Sequence, residues 1–324
     1  MIIELFLSLA VLCSTTVMCI RTSGGFPRFI LEPGLLPGIL AILALMIFLG
    51  GYGKAFLKIF SSPKKIKETD LSGLKKTETA LSYAFKALAL ICFFLMIIAG
   101  IYFYLNFFET QTLGFNLSIM LCSIYYMAFF GMLFLTLKAK LRTNIINFMA
   151  DDSEPEKVNQ ISKKQRLLCI GKIIISIALI ICFYNFIIYT SAANNSGLEP
   201  LSINYLIDIP GLIYIFIPGF LLLAISGNFK NFFRALKYAV KNTKLSVSQK
   251  AVSINAIQFL QKVLLLDGIM CILGGYIAIL TNLEDKAALG PNFMIASLPL
   301  IYALLIDLIL LPVESKISLL CEAE

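Results

Sequence analysis

Long apolar runs separated by short polar segments make up most of this chain. A helix needs about 20 mostly apolar residues to cross a bilayer, and eight runs approach that length. The runs cover residues 3–20, 35–52, 84–107, 114–137, 167–189, 207–226, 257–281 and 292–313. The pattern predicts an all-α, polytopic membrane protein with about eight transmembrane helices.

Lysine and arginine are concentrated in three of the polar segments, residues 53–80, 138–166 and 227–256. Basic residues mark the cytoplasmic loops of membrane proteins. The remaining connections hold only Arg21, Arg28 and Lys286. We therefore expect both termini in the cytoplasm and a multi-pass protein of the inner (cytoplasmic) membrane. The basic segments either mark this topology alone or also bind anionic lipid of the bilayer.

A polar and acidic stretch, residues 151–160, divides the chain into two halves. We expect a four-helix membrane module over 1–150, a cytoplasmic linker over 151–165 and a second four-helix module over 166–324. In each half a helix starts after Pro-Gly and a long hairpin follows. The halves are therefore a weak internal repeat in parallel orientation, or two modules that share the Pro and Gly residues common at helix ends.

The composition narrows the class of protein. Hydrophobic residues make up 59% of the chain and charged residues 14%, whereas soluble domains carry about 45–50% and about 25%. Histidine is absent, which excludes imidazole catalysis and imidazole metal sites. The eight cysteines show no paired CxxC spacing. We expect no enzyme, no metal and no cofactor, and we assign the net charge of +8 to topology and not to nucleic-acid binding.

Two carboxyl side chains lie inside predicted spans, Asp267 and Asp307. Ionisable groups in a bilayer are costly and are usually functional. The two spans form an antiparallel hairpin, which predicts a similar depth for both residues. They are either a proton-accepting pair or groups near the interface that a lysine or water satisfies. Ser297 and Tyr302 lie in the same hairpin and either line an ion path or join helices.

Several passages of the second half resemble the MotA/TolQ/ExbB proton-channel family. The start of the sixth span carries Asp208, Pro210 and Gly211, and we expect Asp208 to cap that helix. The last hairpin matches over about thirty-five residues, and its motif positions are Leu289, Gly290, Pro291 and Pro312. The resemblance implies a homo-oligomeric subunit of an ion-motive-force-coupled complex. It also implies a single-span partner that carries a membrane carboxylate.

The resemblance has specific departures in the last hairpin. A Gly-Thr pair that lines the family's ion path is replaced by Cys271 and Ile272. A Thr-Thr pair is replaced by Pro299 and Leu300. Leucine and isoleucine offer no hydroxyl to an ion or to water. The chain is therefore a divergent ion-coupled subunit or a non-conducting scaffold that keeps the family fold.

The first half resembles a second family, the small membrane subunit of tripartite tricarboxylate transporters. The similarity lies in the segment 32–38, Glu-Pro-Gly-Leu-Leu-Pro-Gly, and in Leu113-Gly114-Phe115 of the first hairpin. It implies an alternative function as the accessory subunit of a solute transporter. The first half is thus either such a module or a diverged copy of the second half.

Overall fold

The computed structural model describes residues 2–22, 35–57, 59, 71–105, 113–150, 208–241, 245–280 and 289–319. This part of the chain is all-helical, as the apolar runs predict. Its helices are α1 (Ile2–Thr22), α2 (Leu35–Leu49), α3 (Gly53–Leu57), α4 (Leu71–Leu105), α5 (Leu113–Ala150), α6 (Ile209–Ile225), α7 (Phe229–Lys241), α8 (Val247–Leu280) and α9 (Leu289–Leu319).

Five of these helices, α1, α4, α5, α8 and α9, are long and apolar enough to cross a membrane. The protein is therefore a multi-pass membrane protein. The number of eight spans and the orientation stay predictions. Helix α2 has 15 residues, α6 and α7 together form a pair bent by 105°, and the run 167–189 lies outside the described residues.

Parts of the basic segments are helical, whereas the sequence predicts them as connections between spans. Helix α4 begins at Leu71 and α5 continues to Ala150, so the basic residues near these ends lie on helical extensions of the spans. Lysine, glutamate and alanine favour helix, and the hairpin partner supports each extension. One such extension is tied to α1, because Lys140 forms an ion pair with Glu4.

Helix α8 is the centre of the bundle. It packs against α5, α9, α6, α7 and α1. Glycine allows a close contact with α9, since a Cβ at Gly268 would lie 3.0 Å from Ala303 Cβ and 3.1 Å from Leu300 Cα. Helix α5 belongs to the first half and α8 to the second, so within the described residues the two halves form one packed unit.

Helices α5 and α8 run antiparallel. At one end Asn255 Nδ2 donates hydrogen bonds to Thr143 Oγ1 at 3.2 Å and to the Ala139 carbonyl at 3.3 Å. Towards the other end Tyr125 interacts electrostatically with Asp267. Since α4 and α5 form a hairpin, α4 runs parallel to α8.

A buried polar contact fixes the corner between α6 and α7. Asn228 is fully buried, and its Oδ1 accepts a hydrogen bond from Thr143 Oγ1 at 2.7 Å. Gly227 turns the chain there with a φ of +74°. The corner between α2 and α3 has the same form, with Gly51 at +73°.

The left-handed backbone at Gly227 gives a prediction about stability. A Cβ at Gly227 would meet no atom within 4 Å, and the same holds at Gly38 in the first turn of α2. We expect Gly227→Ala to lower the free energy of unfolding by about 1–2 kcal/mol, because L-residues avoid positive φ. Gly38→Ala should leave it unchanged or raise it by up to about 1 kcal/mol. Thermal unfolding in mild detergent measures both, and equal effects of the two variants would contradict the conformational explanation.

Candidate functional site

Asp267 is buried in the middle of α8. Its exposed fraction is 0%, and neither carboxyl oxygen has a hydrogen-bond partner among the described residues. At 1.5 Å of rise per residue it lies about 20 Å from the Leu280 end of the helix. A buried polar group without partners costs free energy. Stability therefore does not explain why this carboxyl is here.

The groups around Asp267 come from three helices. Cys19 of α1 donates from Sγ to the carbonyl oxygen of Cys271 at 3.5 Å. Tyr125 of α5 donates from Oη to Thr16 Oγ1 at 2.6 Å. Asp267 interacts electrostatically with Cys19, Cys271 and Tyr125. Thiols and hydroxyls thus surround the unpartnered carboxyl in an otherwise apolar core.

A cavity of about 340 Å³ lies between this cluster and the end of the bundle where α6 and α9 begin. Its walls combine apolar residues with a few polar groups: Cys19, Asp208, Pro210, Tyr214, Cys271, Ile279, Asn292, Ile295, Ala296 and Pro299. Asp267 is not part of this lining. It lies one helical turn beyond Cys271, so the two thiols separate it from the cavity.

Asp208 caps α6 at the wall of the cavity, as the sequence predicts. Its Oδ2 accepts a hydrogen bond from the Gly211 N–H at 2.9 Å, and Pro210 occupies the first turn. A Cβ at Gly211 would lie 2.6 Å from the capping oxygen, which explains the glycine. The backbone N–H of Asp208 donates to Tyr302 Oη at 2.7 Å. Tyr302 therefore ties α9 to the start of α6.

Asp307 is half-buried on a different face of the bundle. Its Oδ1 is buried and has no partner within the described part of the chain, and the neighbouring Leu304 and Leu308 are exposed. Ala303 packs on Gly268, so Asp307, one turn further along α9, lies within about one turn of Asp267 in depth. The neighbours of Asp267 are on α1 and α5, whereas Asp307 borders the outer surface of α9.

The remaining motif positions support the last hairpin. Ser297 donates to the Phe293 carbonyl at 2.7 Å, and its Oγ lies 2.8 Å from Tyr276 Oη. It therefore joins α9 to α8. Leu289, Gly290 and Pro291 form the first turn of α9, where proline is well tolerated. Pro312 lies inside the same helix.

Sequence reasoning did not assign Cys19, Thr16 or Tyr125 to a site. Contacts between α1 and α8 join residues that are far apart in sequence, with Cys19 and Cys271 separated by 252 positions. A weak signal exists in α1. Ser8, Leu12, Thr15 and Cys19 recur at helical spacing and are all buried, so a polar stripe of α1 faces the bundle.

Comparisons with protein-family models, curated proteins and solved structures find no match for this chain. The two family resemblances thus rest on the sequence passages alone. In the described helices no group of three or more cysteine, aspartate and glutamate side chains is placed to hold a metal ion.

Two isosteric exchanges on α8 test whether the Asp267 carboxyl has a structural role. We expect Asp267→Asn to change the thermal unfolding midpoint little, because the carboxyl has no partner to lose. The reverse exchange, Asn255→Asp, removes the donor of two hydrogen bonds and should cost about 1–3 kcal/mol. A marked loss of stability in Asp267→Asn would show that the carboxyl supports the fold.

Proposed function

We propose that this chain is an inner-membrane subunit of an ion-motive-force-coupled complex and that Asp267 is its proton-accepting group. One observation carries the proposal: a fully buried carboxyl without partners lies one helical turn from a cavity that reaches the Asp208 end of the bundle. Intramembrane carboxyl groups without a structural role are typical of proton pathways.

The cavity provides the first part of the pathway. At about 30 Å³ per molecule its volume holds about ten waters, and Asp208 and Asn292 supply polar groups in its wall. Between the cavity and Asp267 lie the thiols of Cys19 and Cys271. The paired hydroxyls of Tyr125 and Thr16 lie in the same cluster. Groups of this kind both donate and accept hydrogen bonds, which a proton relay requires.

The opposite side of Asp267 is closed. Val263 and Leu264, the next turn of α8 towards Lys262, are fully buried and apolar. A pathway open at both ends would be a leak, whereas access from one end at a time lets a proton cross only when a change of conformation opens the other side. This favours a coupled subunit over a simple channel.

The resemblance to the MotA/TolQ/ExbB family agrees with this location. Cys271 and Pro299 occupy positions where that family has ion-lining residues, and both line the cavity. The cavity thus has the position of the family's ion path, but the threonine hydroxyls that line that path in the family are missing here. We therefore place the proton-accepting carboxyl on this chain as well as on the single-span partner that the resemblance implies.

Proton uptake by vesicles containing the purified protein tests the proposal. Under an imposed membrane potential, wild-type protein should acidify the vesicle lumen faster than empty vesicles. Asp267→Asn should reduce that rate at least tenfold, because the amide cannot carry the proton. A pH-sensitive dye inside the vesicles gives the measurement.

Glu78→Gln is the matched control, since it removes one carboxylate from α4, away from the cavity, and should keep the wild-type rate. Equal rates for wild type and Asp267→Asn would reject Asp267 as the proton carrier. That result would favour the non-conducting scaffold or the solute-transporter subunit, neither of which needs Asp267.

A further inference from the structure

We propose that copies of this chain associate side by side, with α9 of one copy packed on α4 of the next. The contact would repeat the one that α5 and α8 make inside the chain. The inference does not depend on proton movement, and it identifies the surface by which a second copy binds.

The first evidence is a constant interval between matching residues of the two halves. Gly51 in the first half matches Gly227 in the second. The same number of residues separates similar residues of the two halves throughout the long hairpins, without insertion or deletion. Identical pairs at this interval are Leu113 and Leu289, Gly114 and Gly290, Asn116 and Asn292, Tyr126 and Tyr302, Lys86 and Lys262, and Lys140 and Lys316.

The backbone at the matching corners has the same geometry. Gly51 and Gly227 both have a φ near +73°. The N–H of each glycine donates to the carbonyl three residues back, and the next N–H donates to the carbonyl five residues before it. The corner therefore supports the register that the residue pairs indicate. In this register α4 matches α8 and α5 matches α9.

The contact between α5 and α8 is heterologous, because it joins unlike helices of the two halves. Gly131 of α5 faces Leu266 of α8, where a Cβ at the glycine would lie 3.4 Å from Leu266 Cδ1. Ala139 of α5 accepts the hydrogen bond from Asn255 of α8. A heterologous contact leaves one copy of each surface unfilled at the two ends of an array.

Among the described helices, the unfilled surfaces are the exposed faces of α9 and α4. Ala128 and Met132 of α5 are fully buried, whereas their counterparts on α9, Leu304 and Leu308, are 45% and 49% exposed. The same difference in exposure holds between α8 and its counterpart α4. Leu266 is 9% exposed, and its counterpart on α4, Leu90, is 71% exposed.

Asp307 indicates that protein, and not lipid, covers this face of α9. It is the counterpart of Gly131, which faces Leu266, so it would face Leu90 of the neighbouring copy. Asp307 has a buried oxygen without a partner in the described part of the chain, and a carboxyl in contact with lipid hydrocarbon costs free energy. Contact with a neighbouring copy removes it from the lipid, and since Leu90 has no hydrogen-bonding group, a partner for the carboxyl would have to come from another group of that copy.

Charge complementarity favours the second copy as the occupant. Within the chain the matching contact brings Lys138 of α5 near Lys262 of α8, an unfavourable pair of like charges. Their counterparts are Glu314 on α9 and Lys86 on α4, which carry opposite charges. Within its own chain Glu314 Oε1 also accepts a hydrogen bond from Gln258 Nε2 at 2.7 Å. The contact between copies therefore has a favourable pair where the internal contact has a repulsive one.

The direction of the helices determines the kind of assembly. Because α4 and α8 run parallel, the rotation that relates the two halves has its axis along the membrane normal. Repeated application of such a rotation within a membrane gives a closed ring when its angle divides a full turn evenly. The repeating unit of that ring is half of this chain.

Mass measurement of the full-length protein in mild detergent, with charge exchange, tests the surface. Wild type should be oligomeric. Lys86→Glu and Glu314→Lys should each raise the dissociation constant at least tenfold, and the double exchange should restore assembly. Lys237→Glu on α7 reverses an exposed charge away from the surface and should have no effect.

Cross-linking identifies the contact directly and does not depend on how the charge variants fold. Thr79→Cys with Ser315→Cys places thiols at the counterparts of Asn255 and Ala139, and a short thiol cross-linker should give a ladder of joined copies. The parent chain and the pair Asn144→Cys with Ser315→Cys should give none. A monomeric wild type, or an oligomer without this ladder, would overturn the proposal whatever the proton-uptake result.

Discussion

The packing of α8 between α5 and α9 is the contact on which the rest of the structure depends. Inside a bilayer the attraction between helices comes from close van der Waals packing and hydrogen bonds, because lipid is as apolar as leucine. Gly268 brings α8 close to α9, and Asn255 binds α5. These contacts join the two halves and place α1 and α6 around the same helix.

The same packing creates the chemistry of the site. Most of α8 is buried against other helices, and Asp267 lies on that buried surface, enclosed with the thiols and hydroxyls of α1 and α5. The cavity stops at Cys19 and Cys271, and apolar residues close the other side. The burial that stabilises α8 thus leaves the cavity side, across the two thiols, as the route between the carboxyl and a membrane surface.

Much of the fold could be predicted from the length of the apolar runs, including the spans α1, α4, α5, α8 and α9. The cap at Asp208 was equally predictable, because its signal is local: Asp followed by Pro-Gly at the start of an apolar run. The helical extensions at α4 and α5 were not, since lysine-rich segments are polar in either a loop or a helix. The cluster around Asp267 depends on contacts between distant helices, which no local pattern encodes.

Modification by a small carbodiimide tests most directly whether the cavity leads to a carboxyl that exchanges protons. Carbodiimides react with carboxyl groups that carry a proton, and mass spectrometry locates the product. We expect modification of Asp267 in the wild type and a strong decrease in Ala296→Phe, in which the larger side chain fills part of the cavity. An unmodified Asp267, or modification that is equal in both proteins, would contradict it.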